Sequence, residues 1–163
     1  MDLLDRLLHH DHWTTRRLLE LALALSDEEL DREFDIGYRT LRKTLSHVVY
    51  NVEGWSRIMR DEKWGGERDD TGSVASMLER LDSEYPRFAA FARQIRDRDG
   101  WDEMWFDRWD EPGREKSFGG AIAHLITHSM HHRTQILFML RRLGVEDVPE
   151  GDALSAERAL GEG

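Results

Sequence analysis

The residues of this chain whose grouping suggests chemistry are its eight histidines. His9, His10 and His12 stand near the start, His47 is alone, and His124, His128, His131 and His132 lie together further on, with none between 48 and 123. An α-helix turns by about 100° per residue, so positions four apart lie within about 40° of one another. His124, His128 and His132 therefore form one helical stripe, which Gln135 and Met139 continue, while His131 points to one side. Two imidazoles at i and i+4 on one helix face can chelate a transition-metal ion. A third ligand is needed, and His47 is the only histidine outside the two clusters. Three neutral imidazoles that leave one or two coordination positions open describe a catalytic rather than a structural metal site. The bland alternative is a polar stripe or a satisfied core pair. His9 to His12 read as a solvated helix face from which His12 can approach a pocket, and Trp13 and Trp55 read as core.

Missing motifs narrow the chemistry. Ser129 and Val48, not glutamates, follow the candidate ligands, so the His-Glu-x-x-His general base of metalloproteases is absent. No Glu-x-x-His occurs, which removes the ferritin-like di-iron bundle. The chain has neither a phosphate-cradling glycine loop nor a Gly-x-Ser-x-Gly elbow. It has no cysteine, so disulfides, thiolate metal sites and a cysteine nucleophile are excluded. The 163 residues suit one domain, 1–163, and a net charge of −10 repels phosphate backbones, which argues against nucleic acid as a partner. No apolar run approaches the roughly 18 residues of a membrane helix, and Asp2 and Asp5 break any signal-peptide pattern. The expectation is a cytoplasmic protein.

Amphipathic helices must position the histidines. Apolar spacing predicts a first helix over 2–25, a capping box at Ser26–Glu29 opening a short turn, and a second long helix over about 40–62. A third begins near Ser73, with Pro86 expected to kink or break it. Residues 99–116 read as a long loop or weak hairpin. Ser117 caps a fourth long helix over 118–143, and a short terminal helix begins near Asp152. The fold class is all-α, a four-helix bundle with a short extra helix or turn and an irregular loop before the last long helix.

Three stretches resemble the DinB-like superfamily, which includes bacillithiol transferases. His124 to Gln135 is similar to its H-x3-H-x3-HRxQ helix. Leu45-Ser46-His47-Val48, followed by Glu53 and Trp55, resembles its second-helix signature. His12 to Leu19 and Ser26 to Leu30 resemble its opening helix and turn. The resemblance covers about 3–158, with Thr15 where the family often has asparagine and Thr134 where glycine is common. It implies a bundle, frequently a homodimer, binding one divalent ion (zinc or nickel, sometimes iron) through His47, His128 and His132. His124 would then stand behind the ligands or line the pocket.

The leading expectation is a metal-dependent thiol S-transferase, acting in stress or detoxification on a small-molecule substrate with a low-molecular-weight thiol as co-substrate. A coordinated thiol loses its proton more readily, so no separate base is required. Gln135, His124, Tyr50 and Arg16 are the candidate pocket residues. The alternatives are hydrolysis by a metal-bound water, with His124 as proton acceptor, and a non-catalytic metal-binding dimer module.

Overall fold

The computed structural model describes residues 1–161. Its elements are α1 (Leu3–Ala22), α2 (Asp27–Leu30), α3 (Leu41–Met59), α4 (Val74–Asp97), β1 (Met104–Asp107), β2 (Arg114–Ser117), α5 (Phe118–Arg142) and α6 (Ala153–Gly161). Each long helix begins where a short polar side chain accepts a hydrogen bond from an otherwise unpaired first-turn amide. Asp2 caps α1, Thr40 α3, Ser73 α4 and Ser117 α5. Ser26 and Glu29 cap each other's backbone at α2, the reciprocal box that the sequence predicts.

The four long helices form the bundle: α1 packs on α4 and α5, and α3 packs on the same two. Leu18, Leu45, Met77, Phe88, Leu125 and Ile136 are among the buried side chains between them. The helix α4 runs through Pro86 without a break. Pro86 and Asp82, whose carbonyl loses its usual amide donor, both face outward, so water can serve that oxygen. Tyr85 and Phe88, on the opposite side, keep the helix on the core. The 99–116 stretch resolves as an antiparallel hairpin, with Met104 opposite Ser117 and Asp107 opposite Arg114. The hairpin packs against α3 and the start of α5.

Charged side chains also join the helices from within. Glu84 of α4 is buried and takes Ser56 Oγ at 2.9 Å, Arg57 Nε at 3.1 Å and Arg60 from α3. Deeper still, Arg133 of α5 pairs with Asp11 of α1, both side chains being almost fully buried at 1% and 0% exposure. Arg133 NH1 also donates to Asp11 O at 3.1 Å and Thr15 Oγ1 at 3.2 Å, and the Tyr85 hydroxyl of α4 donates to Asp11 Oδ2 at 2.9 Å. Burial, reinforced by the Asp11 charge, holds the Tyr85 phenol well above its ordinary pKa, so it remains a donor.

Removing one member of such a pair strands the other charge in the core. Asp11→Ala should lower unfolding free energy by about 3–5 kcal/mol in urea titrations. The double replacement Asp11→Leu with Arg133→Met should recover most of that loss.

Candidate metal centre

His47 stands on α3, and His128 and His132 stand one turn apart on α5, which packs against α3. Ring centroids lie 4.5 Å apart for His47–His132, 4.5 Å for His128–His132 and 5.2 Å for His47–His128. One nitrogen from each imidazole can be chosen so that all three fall within 4.8 Å of one another. His128 Nε2 and His132 Nε2 are 3.3 Å apart. A tetrahedral ion with metal–nitrogen bonds near 2.0–2.1 Å has ligand–ligand edges of about 3.4 Å. The donor set therefore fits one divalent ion by spacing as well as by chemistry: His128 and His132 belong to the stripe that helical spacing gives, and His47 meets them from α3.

The tautomer of His132 is set from behind. Its Nδ1–H donates to Gln135 Oε1 at 3.0 Å, which leaves the Nε2 lone pair toward His128. The Gln135 amide also donates to His131 Nε2 at 3.2 Å. Gln135 is buried, and its carboxamide fixes the His132 ring from behind. Room for its side chain comes from Gly37, which has φ +51° and whose missing Cβ would collide with the Gln135 carboxamide. On α3, Asn51 Nδ2 donates to His47 O and to His47 Nε2, both at 2.8 Å. The Tyr38 hydroxyl approaches the same nitrogen at 3.3 Å. Arg68 lies over the Tyr38 ring at 4.6 Å and is held by Asp70, with NH1 3.5 Å from His47 Nδ1.

Burial, followed by the charges that His132, His128 and Arg68 would present, pushes His47 down to about 3. Burial and the neighbouring histidines push His128 down to about 4. Burial also lowers His132 against the opposing Gln135 bond, and lowers His124 with help from Lys116. The cluster is thus held neutral at physiological pH, the state in which imidazole nitrogens bind metal.

The remaining candidates separate. His124 sits next to His128, with ring centroids 5.2 Å apart, and beside Trp55 at 5.1 Å. Tyr50 lies between Trp64 and Trp109, at 5.6 and 5.5 Å, in an aromatic wall that continues to Trp55. Arg16 does not join them: it pairs with Glu20 and Asp82 across the α1–α4 edge of the bundle. Its position on α1 points it toward α4, a direction that spacing within one helix does not reveal. The early histidines are not a solvated face either. His9 and His10 ring nitrogens bond Ala156 O at 3.1 Å and Gly151 O at 2.9 Å, fastening α1 to the C-terminal segment, and His12 stacks on Tyr85 at 4.6 Å. Trp55 is half-buried and lines a cleft, so it is more than core. Asn51, four residues after His47, could have been found from helical spacing. Tyr38 and Arg68 arrive on loops and carry no local signal.

Gly37→Ala should cost about 1–2 kcal/mol through its left-handed backbone, and Gln135→Leu should weaken metal binding by about 10–100-fold in chelator competition. In the metal-free protein, the folded-state pKa values of His47 and His128 lie far below the ~6.5 expected when unfolded. The unfolded chain then binds more protons between those limits, so stability is greatest above pH 6.5 and falls as pH drops toward 4. His47→Asn should flatten that decline in urea titrations across pH 4.5–7.

The sequence profile of the DinB family matches residues 1–159. The crystal structure of a DinB-like protein from Bacillus cereus ATCC 10987 superimposes with a TM-score of 0.62 at 22% identity, covering 86% of this chain and 89% of that one, and so shares the fold. No curated protein matches the sequence. With the histidine-bearing helical bundle and a family match along nearly the whole chain, the chain belongs to the DinB family.

Proposed function

We propose that this protein is a metal-dependent S-transferase that joins a low-molecular-weight thiol to an electrophilic small molecule in the cytoplasm, in stress or detoxification, and works as a homodimer. The observation that carries the reading is the neutral His47, His128 and His132 group, whose nitrogens lie within 4.8 Å of one another. These residues would hold zinc or nickel, with iron a third option, since imidazole suits all three. The bound ion would supply Lewis acidity that lowers the pKa of a coordinated thiol.

The chain's own residues do the rest. Gln135 keeps the His132 lone pair turned inward. Asn51 and Tyr38 hydrogen-bond His47 Nε2 and so hold the orientation of its ring. The aromatic wall of Tyr50, Trp109 and Trp55 gives His124 an apolar flank. Among the described residues no cysteine competes for the ion or the electrophile, which suits a borrowed thiol. No helix among the described residues is long and apolar enough to cross a membrane, consistent with a small-molecule partner met in water.

A hydrolytic reading is favoured by one observation: His124, its pKa lowered by burial, stands beside His128 as a neutral proton acceptor. Product analysis with and without added thiol separates the two. Elemental analysis of untagged protein should find about one zinc, nickel or iron per chain. His128→Ala should lose it, weakening affinity by more than the roughly 10–100-fold that follows loss of an outer partner. Wild-type protein that stays metal-free after incubation with zinc or nickel would overturn both enzymatic readings. Sedimentation at micromolar concentration should show a dimer.

A further inference from the structure

A cleft of about 530 Å³ opens beside the first turns of α5, lined by Trp55, Asp110, Lys116, Ser117, Gly120 and His124. Its size falls in the range that holds small organic molecules. It is connected to the histidine cluster by a short series of rings: Trp55 to His124 at 5.1 Å, then His124 to His128 at 5.2 Å. The Lys116 ammonium stands 4.6 Å above the Trp55 ring and bonds Asp107, which is buried, and Asp110 at 2.9 Å. An ammonium has three N–H groups, so the two carboxylates leave one for another acceptor.

The charges select the occupant. Lys116 and Asp110, the charged groups of the lining, pair with each other, so the cleft offers no net charge to hold an ionic occupant. Lys116 already covers the Trp55 face that would attract a cation. What remains is a neutral molecule, slim enough to lie beside Trp55 and His124, that carries one hydrogen-bond acceptor. We infer that this cleft binds the electrophile as an α,β-unsaturated carbonyl compound, its carbonyl at Lys116 and its alkene toward His124 and His128; the inference rests on the transferase reading above. The reaction is then an addition. The thiol sulfur bonds to the β carbon, the π pair moves onto the carbonyl oxygen, and Lys116 donates a hydrogen bond to that oxygen. The thiol's proton ends on the α carbon, so the adduct holds every atom of both reactants and nothing is oxidised or reduced.

Benzylideneacetone is a suitable neutral probe, and cinnamate carries the same skeleton with a carboxylate in place of the ketone. Calorimetry on the metal-loaded protein should show one benzylideneacetone per chain and cinnamate at least tenfold weaker. Lys116→Met should weaken the ketone about tenfold, the loss expected for one hydrogen bond from a charged donor. Gly120→Phe, which fills the cleft from the surface of α5, should abolish binding while both variants keep helical content and metal. Unchanged affinity in either folded variant, or cinnamate bound as tightly as the ketone, overturns the inference. Should either variant not fold (Lys116→Met leaves the buried Asp107 carboxylate without its ammonium), the other variant and the cinnamate comparison decide. With cysteine added as the thiol, loss of the conjugated absorbance reports the adduct. Binding in the cleft without adduct supports the cleft and overturns the transferase reading. Adduct formation untouched by both substitutions does the reverse.

Discussion

The pairing of Arg133 with Asp11 constrains this molecule more than any other contact. A guanidinium at 1% exposure has no tolerable alternative to its carboxylate, because an unpaired charge in the core costs several kcal/mol. Asp11 is in turn held by the Tyr85 hydroxyl, and Thr15 accepts from the same guanidinium. Three helices, α1, α4 and α5, are thereby locked in rotation and in height. Arg133 is the residue after His132, so directing one side chain at α1 directs the other about 100° away, toward α3. Turning α5 by one residue would break the ion pair and take the histidine stripe off His47. The geometry of the histidine group thus derives from a core interaction in which none of the three imidazoles takes part.

The HRxQ run accordingly divides its work among three neighbours. His132 offers a lone pair, Arg133 sets the rotation of the helix, and Gln135 returns to fix the tautomer of His132. Mounting all three on one rigid helix holds the group more closely than loops could. Loops and the hairpin bring the remaining groups: Tyr38 and Arg68 approach His47 from two loops, and Trp109 and Lys116 come from the hairpin region. The Gly54 position shows how closely these parts fit, since a Cβ there would strike the Trp109 ring that lies against α3.

Much was legible without coordinates, because the relevant signals are local. Apolar periodicity and the caps Ser26, Ser73 and Ser117 place the helices within a few residues of where they lie. The i, i+4 spacing of His128 and His132 is a property of any helix, so the pair faces one way whatever surrounds it. The solitary position of His47 was enough to nominate it as their partner. Pro86 was harder to read: proline removes a donor, but only the exposure of Asp82 decides whether that matters.

Other features depended on which faces of different helices meet, which no single helix encodes. Arg16 and Gln135 looked alike as polar residues near the motif, yet one faces α4 at the surface and the other is buried behind a ligand. His9 and His10 needed the C-terminal segment to give them carbonyl partners, and the Asp11–Arg133 pair spans 122 positions of chain. The helices, their caps and the histidine stripe follow from interactions within about one helical turn, so the order of residues was enough to find them. How low the imidazole pKa values lie, which loops reach His47, and the meeting of Trp55, His124 and Lys116 in one cleft are set by burial and long-range packing, which exist in the folded chain alone.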